Sequence, residues 1–144
     1  MKCKEIMTKN PVCCLPDDPV EKAAQLMKSE DVGVIPVIDD EETKTVLGIV
    51  TDRDLALRVI AESLDVRNTM VKDVMTTGAF SCAPDDALQK ALDSMEEHQV
   101  RRIPVVDTNK KILGIIAQAD VATRLAEPKK IAEVVEEISK SHAA

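Results

Sequence analysis

The chain has 144 residues, 44% of them hydrophobic and 31% charged, a size and balance that fit one globular domain or two small units sharing a core. Phe80 is the lone aromatic residue and the net charge is −7, which together exclude aromatic base stacking and repel phosphate backbones, so nucleic acid is not an expected partner. No run approaches the roughly 18 apolar residues of a membrane span, and MKCKEIMTKN lacks the apolar core of a signal peptide, so a cytoplasmic protein away from membranes is expected.

In chain order, PVCCL (Pro11 to Leu15) is a short extended run. Asp18 is placed to cap a helix whose first residue is Pro19, where a missing N–H costs nothing. Val20, Ala23, Ala24 and Met27 give that helix one apolar face. VGVIPVID and VLGIVT are β-branched strands separated by a polar turn, and a second helix opens at DRDLALRVI. The order then recurs, with Leu88, Ala91, Leu92 and Met95 as the apolar face of the corresponding helix. Beyond it, Ile131, Val134, Val135 and Ile138 follow Pro128 at helical spacing and predict an amphipathic helix over 128–144, suited to packing against a second subunit, with capping of the core or docking onto an effector as alternatives.

The recurrence is a tandem duplication. Met7, Cys14, Pro16, Asp17, Asp18, Met27, Pro36 and Asp39 each have an identical residue 68 positions later. The register then slips by two, because DEETKTV is longer than TNKKI, and Gly48 meets Gly114. A length change confined to one polar stretch marks a surface turn. Residues 1–66 form the first repeat, 67–127 the second and 128–144 the terminal helix, in an α/β (α+β) fold of two β-α-β-β-α units. One unit of about 60 residues buries too little surface to be comfortable alone; two packed together make a plausible domain.

Two polar constellations stand out. Thr51 and Asp54 sit where an apolar strand runs into a helix, a placement in which the carboxylate accepts the hydroxyls of a ribose and free N–H groups favour an anion. The same two residues are equally suited to capping their own helix. Arg101 and Arg102 open the strand VRRIPVVD; guanidinium groups clamp phosphate, and on this strand one of the two must point away from the apolar face. The alternative is a solvated strand end. Cys3, Cys13, Cys14 and Cys82 form no C-x-x-C pair, and His98 and His142 lack ligand spacing, so buried reduced thiols are expected and no metal site.

The duplicated frame of MT, PDD, PVxD and GIVTDRD resembles a CBS domain pair, the tandem module named for cystathionine β-synthase, over Lys2 to Ala126. The resemblance implies two units related by a pseudo-twofold axis, clefts for adenine nucleotides where their sheets meet, and association into homodimers. The family's ribose motif is matched by Gly48, Ile49, Val50, Thr51 and Asp54; in the second copy Gly114, Ile115, Ile116 and Asp120 match, but Ala117 replaces the hydroxyl residue. Arg53 resembles a phosphate-touching position whose counterpart is Ala119, whereas Arg101 and Arg102 correspond to Gly33 and Val34. The adenine wall of the family falls on Val12, Cys13 and Cys14 and on Phe80, Ser81 and Cys82.

The resemblance therefore implies a non-catalytic regulatory sensor of AMP, ADP or ATP, with S-adenosylmethionine as a further candidate ligand, acting in trans on a partner protein. The two clefts are chemically unequal, the second favouring more heavily phosphorylated ligands. A ligand-free dimerising scaffold is the alternative. A thiol enzyme built on Cys13 and Cys14 lacks a histidine placed beside either thiol.

Overall fold

The computed structural model describes residues 1–78, 80–124 and 136. Elements run α1 (Cys3–Ile6), β1 (Thr8–Lys9), α2 (Val20–Glu30), β2 (Val34–Ile38), β3 (Val46–Thr51), α3 (Asp52–Leu55) and a π-helical turn, Ala56–Ile60. They continue with α4 (Val71–Val74), β4 (Thr76–Thr77), α5 (Leu88–Glu97), β5 (Arg102–Val106), β6 (Ile112–Ala117) and α6 (Gln118–Arg124). The expected terminal helix over 128–144 lies outside the described residues apart from Glu136.

Two compact units emerge, and they do not coincide with the sequence repeats. Among the described residues, the Asp54 unit comprises residues 11–78 with Asn109–Ile112; the Asp120 unit comprises Met1–Asn10, Phe80–Thr108 and the described residues from Leu113 on. Each repeat's leading segment thus belongs to the unit built mainly from the other repeat. In the Asp54 unit the sheet order is β2-β3-β4, antiparallel, with Val34 opposite Thr51 and Ile49 opposite Thr76. In the Asp120 unit it is β1-β6-β5, with Thr8 opposite Ile115 and Lys9 opposite Gly114.

Backbone chemistry explains the attachment. The first N–H groups of a helix have no partner within it. In α1, the N–H groups of Cys3 and Lys4 donate to the carbonyls of Asp86 and Pro84 at 2.9 and 3.0 Å. In α4, those of Val71 and Lys72 donate to Asp18 and Pro16 at 2.8 and 3.0 Å. The duplicated PDD segment is thus the socket for each leading helix. Surface ion pairs follow the same symmetry, Lys4 with Asp85 and Lys72 with Asp17, both at 3.0 Å.

Each unit has an aliphatic core. Val20, Ala23, Met27, Ile35, Val37, Val50, Val59 and Val71 fill one; Ile6, Leu88, Leu92, Met95, Ile103, Val105 and Ile116 fill the other. The expected face of α5 is buried in full. On α2, Ala24 is exposed, and Leu26 packs against the core instead. Phe80, lacking another aromatic partner, stacks on the imidazole of His98 with ring centroids 3.3 Å apart.

Two local expectations need correction. Asp18 does not cap α2: its carboxylate accepts the Leu15 N–H at 2.8 Å and pairs with Lys22. Pro19 holds the cap position, and the carbonyls of Thr69 and Val66 take the N–H groups of Val20 and Glu21. PVCCL does not form a full strand either; it narrows to one parallel bridge between Cys14 and Val37, mirrored by Cys82 and Val105. Prolines on both flanks, Pro11 and Pro16, remove the donors a longer ladder needs.

Candidate functional site

In the Asp54 unit the end of β3 runs directly into α3. Thr51 is the N-cap: its Oγ1 accepts the Asp54 N–H at 3.0 Å, while the Asp54 carboxylate accepts the Thr51 N–H at 3.0 Å. This reciprocal capping box satisfies two helix-end donors at once. Asp54 is the one charged side chain buried among the described residues. Around it stand the Arg58 guanidinium, with Nε at 3.8 Å, and the Thr76 hydroxyl, 3.4 Å from Oδ1. Arg58 also donates to the carbonyl of Val74 at 3.1 Å, tying the π-helical turn to α4. Arg53 is exposed beside the acid.

The glycine of the motif explains how Thr76 reaches this position. A Cβ on Gly48 would lie 2.5 Å from the Thr76 carbonyl oxygen, closer than any side chain tolerates. Only glycine lets β4 pair so tightly with β3. Gly114 does the same for β1, where a Cβ would meet the Met7 sulfur at 2.6 Å and the Thr8 carbonyl at 2.8 Å. Thr8 consequently sits with Oγ1 3.4 Å from Asp120. Thr8 and Thr76 did not stand out in the sequence as site residues, although the repeated MT dipeptide was the available signal.

The Asp120 unit holds the second constellation. Asp120 accepts the Ala117 N–H at 3.3 Å, but Ala117 has no side-chain oxygen to accept the Asp120 N–H in return, so the capping box is half made. The carbonyl of Arg101 accepts the Gln118 N–H at 2.9 Å, as that of Gly33 accepts the Asp52 N–H at 2.9 Å. That bond brings the basic strand start against the helix start, two features 17 residues apart in sequence. Together Arg101, Arg102, Ala117, Gln118, Ala119 and Ala122 line a cleft of about 360 Å³, within the range of small-ligand pockets. Both arginines contribute to its lining, Arg101 from just ahead of β5 and Arg102 from its first position.

The expected wall residues are not among those lining this cleft. Cys13 lines a separate pocket of about 260 Å³ with Asp18, Lys22, Glu41 and Lys44. Cys14 and Cys82 are buried, and their backbone groups are committed to Pro36 and Ile38 and to Pro104 and Val106. Ser81 is exposed. Burial pushes the Cys14 thiol up to about 11 and raises those of Cys13 and Cys82, which keeps all three protonated and poor as nucleophiles. Among the described residues, no group of three or more His, Cys, Asp or Glu side chains is placed to hold a metal ion. No helix among them is long and apolar enough to cross a membrane.

Two β-sheet units, each with an acid at the start of a helix and a threonine brought in from the other repeat, define a duplicated module. The CBS domain family model matches residues 3–61 and 71–127, and the chain belongs to that family. It is 40% identical over 119 residues to the CBS domain-containing protein YhcV of Bacillus subtilis (strain 168), covering 83% of this chain and 81% of that one. The crystal structure of Hypoxic Response Protein I with two coordinated zinc ions superposes with a TM-score of 0.78 at 30% identity, covering 87% of this chain and 99% of the other. The structure of CBSX2 in complex with AMP superposes with a TM-score of 0.71 at 28% identity, covering 85% and 93%.

Proposed function

We propose that this CBS domain pair is a non-catalytic sensor of adenine nucleotides, with Asp54 and Asp120 each accepting ribose hydroxyls and Thr51, Thr8 and Thr76 flanking the sugar. Arg53 serves phosphate in the Asp54 unit; Arg101 and Arg102 do so in the Asp120 unit. The observation that carries the reading is the convergence of Arg101 and Arg102 with the Ala117–Asp120 helix start on one cleft of about 360 Å³. The AMP complex of CBSX2, a protein of similar sequence and fold, supports it.

Ligand binding acts by differential affinity for two arrangements of the module, and the output passes in trans to a partner protein. A homodimer is the proposed working form. Leu57, Ile60 and Leu64 support it, three exposed apolar side chains close in sequence, Ile60 at 71%, that a second subunit would cover. A cytoplasmic location accompanies this reading, where adenine nucleotides are abundant.

A ligand-free scaffold is the second reading. The closed Thr51–Asp54 capping box and the missing hydroxyl at Ala117 favour it.

The deciding experiment is calorimetric titration of nucleotide-stripped protein with AMP, ADP, ATP and S-adenosylmethionine, with Asp54→Ala and Asp120→Ala in parallel. Saturable heat abolished at one site by one variant supports the sensor and assigns the site. Absence of heat with all four ligands rejects it in favour of the scaffold.

A further inference from the structure

The four cysteines form two unlike pairs. Cys13 and Cys14 adjoin in sequence, yet Cys13 lines a pocket while Cys14 is fully buried in the core. Cys3 and Cys82, 79 residues apart, meet inside the core of the Asp120 unit. Both thiols are shielded from solvent and are near enough to influence each other's titration, while each donates to a backbone carbonyl at 3.8 Å, Cys3 to Ala87 and Cys82 to Pro104. Each is held by its backbone: the Cys3 N–H donates to the Asp86 carbonyl, and the Cys82 N–H to that of Pro104.

The duplication provides an internal comparison. Cys82 has its counterpart in Cys14, but the counterpart of Cys3 is Val71. Val71 and Cys14 share the core of the Asp54 unit, so the same pair of positions packs there with a single sulfur. The thiol pair is a property of the Asp120 unit.

We infer that Cys3 and Cys82 are a redox pair, in which two-electron oxidation by a hydroperoxide joins their sulfurs in a disulfide that fastens the leading segment Met1–Asn10 to its unit. One thiolate attacks the terminal peroxide oxygen; the O–O bond breaks, giving a sulfenic acid and, from hydrogen peroxide, water. The second sulfur then attacks the first, the S–O bond breaks, and a second water leaves as the S–S bond forms. Two thiols and one hydrogen peroxide thereby yield one disulfide and two waters, the sulfurs losing the two electrons that the oxygens gain.

Burial raises both thiol pKa values, so the first step waits on local opening of the leading segment and is slow. The consequence is local as well: Thr8, five residues beyond Cys3 on the same segment, is the residue placed beside Asp120. Disulfide formation between Cys3 and Cys82 requires no bound nucleotide.

The test treats the full chain with hydrogen peroxide, alkylates the remaining thiols in denaturant and maps peptides without reduction. The expected product links the Cys3 peptide to the Cys82 peptide, leaves Cys13 and Cys14 open to alkylation, and shows slower amide hydrogen exchange over Lys2–Asn10. Cys3→Val, which installs the residue found at the matching position of the other unit, is expected to fold and to yield no link. The pair is overturned by a link to Cys13 or Cys14, by Cys3 or Cys82 over-oxidised to sulfinic acid without a link, or by both thiols surviving unchanged. A Cys3–Cys82 link with unaltered exchange over Lys2–Asn10 overturns the fastening.

Discussion

The Thr76 hydroxyl stands 3.4 Å from the Asp54 carboxylate, and the Thr8 hydroxyl stands 3.4 Å from that of Asp120. In both cases the threonine comes from one repeat and the acid from the other. Neither repeat by itself supplies both residues of either pair.

Gly48 permits this geometry, and replacing it tests whether the threonine matters. Gly48→Ala drives a Cβ into the Thr76 backbone, which cannot swing aside as a side-chain end can. The expected result is a loss of about 1–3 kcal/mol in stability by urea unfolding. Weaker nucleotide binding by the folded fraction is expected with it, because β4 carries Thr76 away from Asp54.

Ala117→Thr completes the capping box that Asp120 half forms. A gained cap is worth about 1 kcal/mol. An upward shift in the urea midpoint of Ala117→Thr, with tighter AMP binding in the Asp120 unit, is the expected outcome; an unchanged midpoint shows that the helix start has another partner for its N–H groups.

Arg102→Ala separates phosphate recognition from ribose recognition. Hydrogen bonds to a charged group contribute about 1.5–3 kcal/mol, roughly ten- to 150-fold in Kd. ATP is expected to lose more affinity than AMP, and the ATP loss is expected to shrink as salt is raised. Equal and negligible changes for both ligands remove Arg102 from the site.

Acid sensitivity should trace to the PDD socket. The Ala83 N–H, donated at 2.9 Å, holds the Asp86 carboxyl below its ordinary 3.8, and Lys90 adds to the effect. A depressed folded-state pKa contributes stability that is present above about 3.8 and lost as pH falls through the lower folded value. Unfolding monitored from pH 6 to pH 2 is expected to show less pH dependence in Asp86→Asn than in the parent chain, with lower stability at pH 6.

The sequence by itself determined the duplication, the two strand-turn-strand elements, the apolar face of α5, and the placement of Thr51, Asp54 and Asp120 at helix starts. Those features are local: side-chain period, β-branching and capping chemistry act within a few residues and survive in any packing of the chain. Tertiary structure alone decided which leading segment pairs with which sheet, because Thr8–Lys9 and Thr76–Thr77 are two-residue strands with no periodicity of their own. It also moved the capping of α2 from Asp18 to distant carbonyls of Thr69 and Val66, brought both arginines into the lining of one cleft, and buried Cys3 and Cys82 in one core. Each of those outcomes depends on backbone donors and acceptors far apart in sequence finding one another, a long-range pairing that local residue patterns do not encode.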